Sequence, residues 1–335
     1  MMKNILITGG AGFIGANFIR YVLANNDNAN IVNVDLLTYA GSLDHLKNLS
    51  DESRYHFIRG DINDAALIEK ILREHAIDTI VHFAAESHVD RSIQQPAIFI
   101  QTNVMGTFTL LEAAKKVWLE EKKWNHTQCR FHHVSTDEVY GSLSKTAAAF
   151  KETNPFSPNS PYSASKAGSD HLVNAYFHTY QLPITISHCS NNYGPYQHTE
   201  KFIPTIIRAC LHEKEIPVYG DGSNIRDWLY VEDHCRGIMT ILEKGKIGEK
   251  YNIGGECELS NLDVAKMICA EMDKLFPKKN SHASLISFVT DRPGHDWRYA
   301  MNIDFIRQKL GWAPVEKFSS GIEKTIEFYG TMQKF

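Results

Sequence analysis

The segment Lys3–Gly15 reads KNILITGGAGFIG and predicts how the chain folds. Its first half, Lys3–Thr8, is a short apolar run typical of a buried parallel strand, and a helical pattern follows the glycines. Gly9, Gly12 and Gly15 allow a tight turn and let a pyrophosphate approach the helix N-terminus, where free N–H groups and the helix dipole favour anions. We therefore expect a strand–turn–helix unit that binds a dinucleotide at its turn.

An acidic residue at the end of the next predicted strand indicates which dinucleotide is bound. The strand Ile31–Val34 ends in Asp35, which lies twenty residues after Gly15. A carboxylate at this position can accept hydrogen bonds from a ribose diol and repels a 2′-phosphate. Because Leu36 follows and no arginine is present to accommodate that phosphate, the sequence favours NAD over NADP.

Strands and helices alternate along the first 190 residues. Further strands are predicted at His56–Arg59, Thr79–Phe83, Phe131–Val134 and Ile184–His188, and helices at Ala65–His75, Pro96–Leu119 and from Ser160 onward. This alternation predicts an α/β fold with a doubly wound parallel (Rossmann) sheet. The segment Ser190–Pro195 is expected to be a loop at the carboxyl end of a strand, where such sheets bind ligands.

The alternation weakens after about residue 190, and no linker is recognisable. We therefore expect a smaller α/β substrate-binding domain that is interwoven with the first domain. The predicted NAD-binding domain comprises residues 1–190 and about 225–250. The predicted substrate-binding domain comprises about 191–224 and 251–335.

The 335-residue chain has 43% hydrophobic and 22% charged residues, which is ordinary for a soluble globular protein. Its net charge of −4 argues against a nucleic-acid partner or an anionic membrane surface, and no apolar run approaches the ~20 residues of a membrane span. The six cysteines are scattered without a C-x-x-C pair, and the sixteen histidines show no metal-binding spacing. We expect reduced thiols, a cytoplasmic location and no metal.

A tyrosine and a lysine near the middle of the chain form a candidate proton acceptor. Ser160 followed by Pro161 is a good helix start, and Tyr162 and Lys166 then stand four residues apart on one helix face. A free tyrosine has a pKa near ~10, but a neighbouring lysine ammonium favours the phenolate. The pair can therefore serve as a general base near neutral pH.

Five features occur together in one order, namely the glycine turn, Asp35, Ala84–Ser87, Thr136-Asp137-Glu138, and Tyr162 with Lys166. Together they make the chain similar to the extended short-chain dehydrogenase/reductase family over nearly its whole length. Within that family it most resembles the dTDP-glucose 4,6-dehydratases. Asp137 and Glu138 are both acidic, whereas epimerases carry small hydroxyl residues there, and GDP-mannose dehydratases and UDP-glucuronate decarboxylases have Thr-Ser-Glu. Asp291–Asp296 also resembles those dehydratases, although Trp297 stands where a basic residue is common.

The resemblance implies that dTDP-glucose is the substrate and that it loses water to give dTDP-4-keto-6-deoxyglucose. NAD would take a hydride from C4 and later return it to C6. Tyr162, aided by Lys166, would take the C4 hydroxyl proton while Thr136 holds that oxygen. Glu138 would then remove the C5 proton, and protonated Asp137 would donate to the departing C6 hydroxyl.

The resemblance also implies which residues bind the two ligands. Cofactor contacts are expected from Gly9, Gly12, Phe13, Ile14, Gly15, Asp35, Leu36, Thr38, Asp61, Ile62, Ala84, Ala85, Ser87, Thr102, Tyr162, Lys166 and Asn192. Substrate contacts are expected from Ser87, Thr136, Asn191, Lys201, Phe202, Pro217, Tyr219, Arg226, Asn261, Arg292 and His295.

Two other functions remain open from the sequence. A related nucleotide-sugar dehydratase or decarboxylase that acts on a UDP-sugar would carry the same motifs, because selection of the base rests on few contacts. The other is a non-catalytic Rossmann protein that senses NAD. Such proteins commonly lose the tyrosine–lysine pair, which this chain keeps.

Two predicted helices also suggest how the chain associates. The helices near residues 96–119 and 160–180 carry apolar residues beyond one face, which indicates burial on two sides. We therefore expect a homodimer in which these helices form a two-fold four-helix contact.

Overall fold

The computed structural model describes residues 2–291 and 294–331. Its strands are, in chain order, β1 (Asn4–Thr8), β2 (Asn30–Asp35), β3 (Tyr55–Arg59), β4 (Thr79–His82), β5 (Arg130–Thr136), β6 (Ile184–Cys189), β7 (Asn191–Tyr193), β8 (Ile216–Tyr219), β9 (Ile225–Tyr230), β10 (Lys250–Ile253), β11 (Glu258–Ser260) and β12 (Ile286–Val289). Its α-helices are α1 (Phe13–Asn25), α2 (Ala65–Glu74), α3 (Val89–Gln94), α4 (Pro96–Phe99), α5 (Gly106–Ala114), α6 (Pro161–Tyr180), α7 (Phe202–Leu211), α8 (Val231–Lys244), α9 (Asn261–Leu275), α10 (Asp304–Leu310) and α11 (Phe318–Gly330).

The central sheet has seven parallel strands in the order β3-β2-β1-β4-β5-β6-β10. The strand order reverses between β1 and β4, which creates a crevice at the carboxyl ends of these strands. Because helices cover both faces of the sheet, its strands read as nearly continuous apolar runs, and Ile5–Ile7 is completely buried. The predicted doubly wound α/β fold is confirmed.

Each face of the large sheet has its own core. On one face, Phe18 of α1 packs in the same cluster as Ile238 of α8. On the other face, Ile68 of α2, Leu110 of α5 and Val173 of α6 share a second cluster. The sheet is therefore fixed from both sides, and the loops at its carboxyl edge remain available for a site.

The helix predicted from Pro96 to about Leu119 is a run of contiguous helical segments. In this run α4 and α5 alternate with π-helical segments at Ile100–Met105 and Lys115–Glu121. π-Helical turns occur often at functional sites. The first one contains Asn103, whose buried side chain bonds both the N–H and the C=O of Glu86 at 2.9 and 3.0 Å.

A second, smaller core is built mainly by the last third of the chain. β9 lies between β7 and β11 in a three-stranded sheet, and β8 pairs with β12. Ile206 of α7, Ile268 of α9 and Ile326 of α11 are completely buried in this core. This smaller α/β unit agrees with the predicted fold class.

The predicted bounds of the two domains remain a prediction, and the strand pairings indicate two adjustments. β9 lies within the predicted NAD-binding domain but is the centre of the small sheet. β10 lies at the edge of the large sheet, and Ile303, Ile306 and Trp312 pack in the same core as α1. The chain therefore returns to the large sheet after residue 250.

The segment Asn191–Tyr193 differs from its prediction as a loop. It forms β7, because it pairs in parallel with Trp228–Tyr230. A strand of three residues has too little pattern to be recognised from the sequence, and its partner lies almost forty residues away along the chain.

Candidate active site

A cavity of about 550 Å³ lies at the carboxyl ends of β1, β2, β4, β5 and β6. This is the crevice in which doubly wound sheets bind ligands. The predicted cofactor residues all line it, and they are Gly9, Gly12, Phe13, Ile14, Gly15, Asp35, Leu36, Thr38, Asp61, Ile62, Ala84, Ala85, Ser87, Thr102, Tyr162, Lys166 and Asn192. The remaining predicted catalytic residues, Thr136, Asp137 and Glu138, line the same cavity.

The glycine turn between β1 and α1 is shaped for a phosphate group. Gly9 has a φ of +71°, and a Cβ atom there would lie 2.6 Å from the backbone nitrogen of Ala84. A Cβ atom on Gly15 would lie 2.4 Å from the carbonyl oxygen of Gly9. Gly12 is the N-cap of α1 and has no side chain to occupy the helix N-terminus. The turn therefore leaves the first helical N–H groups open to a pyrophosphate.

Asp35 is positioned for a ribose by its own backbone contacts. Its Oδ2 accepts a hydrogen bond from the Ala11 N–H at 2.9 Å, and its Oδ1 accepts one from the Leu37 N–H at 2.8 Å. Each carboxylate oxygen can accept a further hydrogen bond. Burial raises the pKa of Asp35, and the two backbone hydrogen bonds oppose that shift. The carboxylate therefore fits a ribose diol, as the sequence predicts.

Tyr162 and Lys166 reach the cavity from the first turns of α6. The Ser160 hydroxyl accepts a hydrogen bond from the Ser163 N–H at 3.1 Å, and Pro161 occupies the first helical position. This cap fixes where the helix begins and therefore which side chains face the cavity. Tyr162 is 9% exposed and Lys166 4% exposed.

The strongest effects on Tyr162 in the structure raise its pKa, whereas the sequence predicts that Lys166 lowers it. Burial, and next the charge of Glu138, raise the pKa of Tyr162 well above its usual value, while a hydrogen bond with Thr136 opposes the shift. Lys166 donates to the carbonyl oxygen of Val134 at 2.9 Å. Lowering of the Tyr162 pKa by Lys166 therefore stays a prediction for the site with its ligands bound.

The acidic pair lies in a 3₁₀ turn, Asp137–Tyr140, which directly follows β5. The Thr136 hydroxyl caps this turn by accepting from the Glu138 N–H at 3.3 Å, and it donates to Asp137 Oδ1 at 3.2 Å. Burial, then the Glu138 charge and then Asp227 raise the pKa of Asp137 well above its usual value. Its surroundings therefore favour the neutral form of Asp137.

The predicted substrate residues fall into two groups. Ser87, Thr136, Asn191 and Lys201 line the cavity, and the Lys201 ammonium donates to the Ser87 carbonyl oxygen at 3.1 Å. Phe202, Pro217, Tyr219, Arg226, Asn261 and His295 do not line it and belong to the smaller unit. Arg292 lies outside the described residues.

Three residues of the second group nevertheless make contacts that bear on the site. The rings of Tyr219 and His295 lie 6.2 Å apart, edge to face. Arg226 places its guanidinium 4.6 Å from the ring centre of Tyr299, and its charge opposes the rise in the Asp137 pKa. Arg226 therefore lies close enough to Asp137 for its charge to act on that carboxyl group.

Other residues line the cavity although the sequence analysis did not single them out, including Tyr39, Gln101, Cys189, Gln197, His198 and Glu200. Cys189 is the last residue of β6, so the rule that ligands bind at strand ends could have identified it. His198 contacts the ring of Tyr39 edge to face at 5.6 Å. This contact joins two loops that are far apart in sequence, and no local pattern predicts it.

Comparison with known proteins identifies the family. Residues 6–325 match the family described as GDP-mannose 4,6-dehydratase. The chain is 52% identical over 332 residues to the dTDP-glucose 4,6-dehydratase of Neisseria meningitidis serogroup B, a match that covers 98% of this chain and 93% of that protein. The chain belongs to the nucleotide-sugar 4,6-dehydratase family.

Solved structures of dTDP-glucose 4,6-dehydratases resemble this nucleotide-sugar 4,6-dehydratase along its whole length. The Bacillus anthracis protein, in complex with NAD, is 44% identical with a TM-score of 0.87, and the match covers 99% of this chain and 98% of that one. The Streptomyces venezuelae protein, also with NAD bound, is 43% identical with a TM-score of 0.89, covering 98% and 97%. The resemblance stated from the motifs is therefore confirmed.

No helix among residues 2–291 and 294–331 is long and apolar enough to cross a membrane. Within those residues, histidine, cysteine and acidic side chains form no group of three or more that could hold a metal ion.

Proposed function

We infer that this chain is an NAD-dependent hydro-lyase that converts dTDP-glucose to dTDP-4-keto-6-deoxyglucose and water. This inference rests on one observation. Tyr162, Asp137 and Glu138 line the same cavity as the glycine turn and Asp35. Relatives that are 50–52% identical over nearly the whole chain are dTDP-glucose 4,6-dehydratases. NAD, when bound, accepts a hydride from C4 of the glucose and later returns it to C6.

Oxidation at C4 requires a group that accepts the proton of the C4 hydroxyl, and we assign this role to Tyr162. Its phenol hydrogen-bonds the Thr136 hydroxyl, so both groups can contact one substrate oxygen. Because burial raises the pKa of Tyr162, a positive charge is needed to stabilise the phenolate. Lys166 supplies that charge from the next turn of α6, and the nicotinamide ring adds to it.

Elimination across C5 and C6 needs one ionised and one neutral carboxyl group. The C4 ketone acidifies the C5 hydrogen, which Glu138 then removes, while Asp137 protonates the departing C6 hydroxyl. Burial and the Glu138 charge favour the neutral form of Asp137. Asp137 Oδ2 is buried, and none of the described residues hydrogen-bonds it, which leaves this oxygen to the substrate. Neighbouring carboxyls whose pKa values are pushed apart can divide acid and base roles in this way.

The proton balance of the cycle also involves Thr136. One turnover leaves Tyr162 with an additional proton and Asp137 with one fewer, so a proton must pass from one to the other before the next cycle. The Thr136 hydroxyl hydrogen-bonds Tyr162 and donates to Asp137 Oδ1. It therefore offers a direct hydrogen-bonded path for this return.

We propose that the diphosphate lies between the two units and that the nucleotide lies against the smaller one. Asn191 supports this placement, because its Oδ1 is buried in the cavity wall without a hydrogen-bond partner among the described residues. Lys201 precedes α7 and supplies a cation at the same place. Pro217 and Tyr219 present the exposed face of β8, where a thymine base can stack.

We further propose a homodimer formed through the helices near residues 96–119 and 160–180. The apolar side chains that are 39–49% exposed on or beside these helices are Ile93, Ile98, Ile100, Met105, Phe108 and Tyr180. Contiguous exposed apolar side chains of this kind mark association surfaces. A cytoplasmic location is proposed as well, and the six unpaired cysteine thiols suit a reducing compartment.

The activity is tested by incubating the purified holoenzyme with dTDP-glucose, UDP-glucose and GDP-mannose and measuring sugar masses. We expect loss of one water from dTDP-glucose and, in heavy water, one deuterium at C5. In a mixture of C4-deuterated and unlabelled substrate, each deuterium should move to C6 of the molecule that carried it. Faster turnover of UDP-glucose would overturn the assigned substrate, and label that crosses between molecules would overturn the mechanism.

A further inference from the structure

A buried polar cluster lies behind Lys166, on the side away from the cavity. Lys166 and Asp170 are one helical turn apart on α6, while His133 on β5 and His188 on β6 face them from the sheet. Lys166 is 4% exposed, and Asp170, His133 and His188 are completely buried. Neither Asp170 nor His133 lines the cavity, so neither can touch the substrate or the cofactor there.

The ammonium group of Lys166 needs support because it is taken out of water. It donates to the carbonyl oxygen of Val134 at 2.9 Å and lies 3.4 Å from Nε2 of His133. Burial lowers the pKa of Lys166, and the charge of Asp170 is the largest effect that opposes this shift. A lysine that lost its proton here could no longer stabilise a phenolate at Tyr162.

Asp170 is held as a carboxylate by three neighbours. Its Oδ2 accepts from the Ser135 hydroxyl at 2.9 Å and lies 3.0 Å from Nε2 of His188. Its Oδ1 lies 3.2 Å from Nε2 of His133. Burial alone would raise the pKa of Asp170, but His188 and His133 together hold it below its usual value. The cluster therefore contains a fixed negative charge.

His133 lies between this carboxylate and the ammonium of Lys166. Burial, and next the Lys166 charge, lower the pKa of His133 to about 4, so the ring is neutral near pH 7. Nε2 of His133 lies 3.2 Å from Asp170 Oδ1 and 3.3 Å from the Ser169 hydroxyl, whereas Nδ1 has no hydrogen-bond partner among the described residues. The neutral ring thus lies between the carboxylate and the ammonium.

We propose that Asp170, oriented by His133, is the counter-charge that keeps Lys166 protonated, and that these two positioning residues thereby set the pH at which Tyr162 acts as a base. The inference rests on the proposed roles of Tyr162 and Lys166. Titratable groups also face Lys166 from β4 and β6, and they are His82 and Cys189. Tyr162 lies one turn earlier on the same helix. Of the carboxyl groups, Asp170 is the one whose charge acts on the Lys166 pKa.

The first test replaces Asp170 with asparagine in the full-length holoenzyme. Without this charge Lys166 loses its proton at lower pH, so the Tyr162 phenolate forms at higher pH. The pH profile of C4 oxidation in a single turnover should shift to higher pH by about one unit, with a tenfold slower rate on its acid side. The absorbance of Tyr162 tyrosinate near 295 nm, measured against a Tyr162→Phe reference, should shift equally.

A matched control separates this role from a structural one. His188→Gln replaces the other imidazole beside Asp170 with an amide that can still donate to the carboxylate, and it leaves Lys166 and His133 in place. It should lower Tm, as Asp170→Asn does, yet leave the pH profile unmoved. If Asp170→Asn gives a folded holoenzyme with the wild-type profile, or if His188→Gln moves the profile equally, the proposal is wrong.

If Asp170→Asn does not fold, two variants of His133 test the same proposal. His133→Gln keeps a group that can donate to Asp170 and should keep the wild-type profile, whereas His133→Leu should move it to higher pH. Identical profiles for both would overturn the proposal. The tyrosinate titration needs NAD but no sugar, so it tests the counter-charge even if dTDP-glucose is not the substrate.

Discussion

Asp137→Asn is the substitution that most directly tests whether Asp137 is the acid and Glu138 the base of the acidic pair. Asparagine has nearly the shape of a protonated aspartic acid but cannot donate a proton to a leaving group. Because burial raises the pKa of Asp137, the wild-type carboxyl is proposed to be neutral in the folded protein. The variant should therefore fold like the wild type and lose the acid function alone.

The expected effects on rate and stability have opposite signs. General acid catalysis contributes about 10²–10⁴-fold, or roughly 2.7–5.5 kcal/mol of barrier, and product formation should fall by that amount. The folded pKa of Asp137 is raised above its unfolded value, so wild-type stability is fully present below the unfolded pKa and decreases as pH rises toward the folded pKa. Asparagine carries no charge and therefore avoids this loss of stability. The free energy of unfolding of Asp137→Asn, relative to that of the wild type, should therefore grow by about 1.4 kcal/mol per pH unit in that range.

Two measurements check these effects. Urea unfolding of wild type and variant, both saturated with NAD, is followed at pH 5, 6 and 7, with exposed Asp27→Asn as a control for removing one charge. Stopped-flow absorbance of the reduced nicotinamide then shows whether C4 oxidation survives in Asp137→Asn. A variant that is less stable than wild type at every pH, or one that keeps full dehydratase activity, would refute the assignment of a neutral acid.

Other substitutions test the remaining assignments. Glu138→Gln should cut turnover by about 10²–10⁴-fold while reduced nicotinamide still forms, whereas Tyr162→Phe should suppress that formation; equal loss of C4 oxidation in both would contradict the separate roles. Asp35→Ser should weaken NAD binding to the stripped protein by roughly 10–150-fold in calorimetry, and wild type that prefers NADP would disprove the cofactor assignment. Ile100→Glu should turn a dimer into a monomer in sedimentation at micromolar concentration, while Val315→Glu, on an exposed side chain elsewhere, should not; a monomeric wild type would rule out the interface.

The sequence predicts the large sheet well because its signals are local. A parallel strand buried on both faces is a short apolar run, and the turn after β1 needs glycine where a Cβ atom would meet the backbone of Ala84. The helix start at Ser160 depends on neighbours within a few positions. These local features predict Gly9, Gly12, Gly15 and Asp35, which all line the cavity, whereas the full set of cofactor residues came from the family resemblance.

The smaller unit is harder to predict because its stability depends on distant partners. β9 contains Arg226 and Asp227, which are 5% and 1% exposed, and such a charged pair in a short segment usually predicts a surface turn. Asp227 is buried because the N–H groups of Gly255 and Cys257 donate to it at 3.0 and 2.8 Å. No pattern within the segment reveals those donors.

Asp137 and Asp170 show how partners decide the charge of an equally buried carboxyl group. Asp170 has His133, His188 and Ser135 as neighbours and its pKa is lowered, whereas Asp137 has Thr136 as donor, lies beside Glu138, and its pKa is raised. The two therefore contribute to stability with opposite pH dependence. Asp170 stabilises above its unfolded pKa and loses this contribution as pH falls, so Asp170→Asn should be most harmful near pH 7 and least harmful in acid. Urea unfolding measures the Asp170→Asn slope below about pH 4, the unfolded pKa of an aspartic acid, and the Asp137→Asn slope above it. Slopes of the same sign for the two variants would contradict this account.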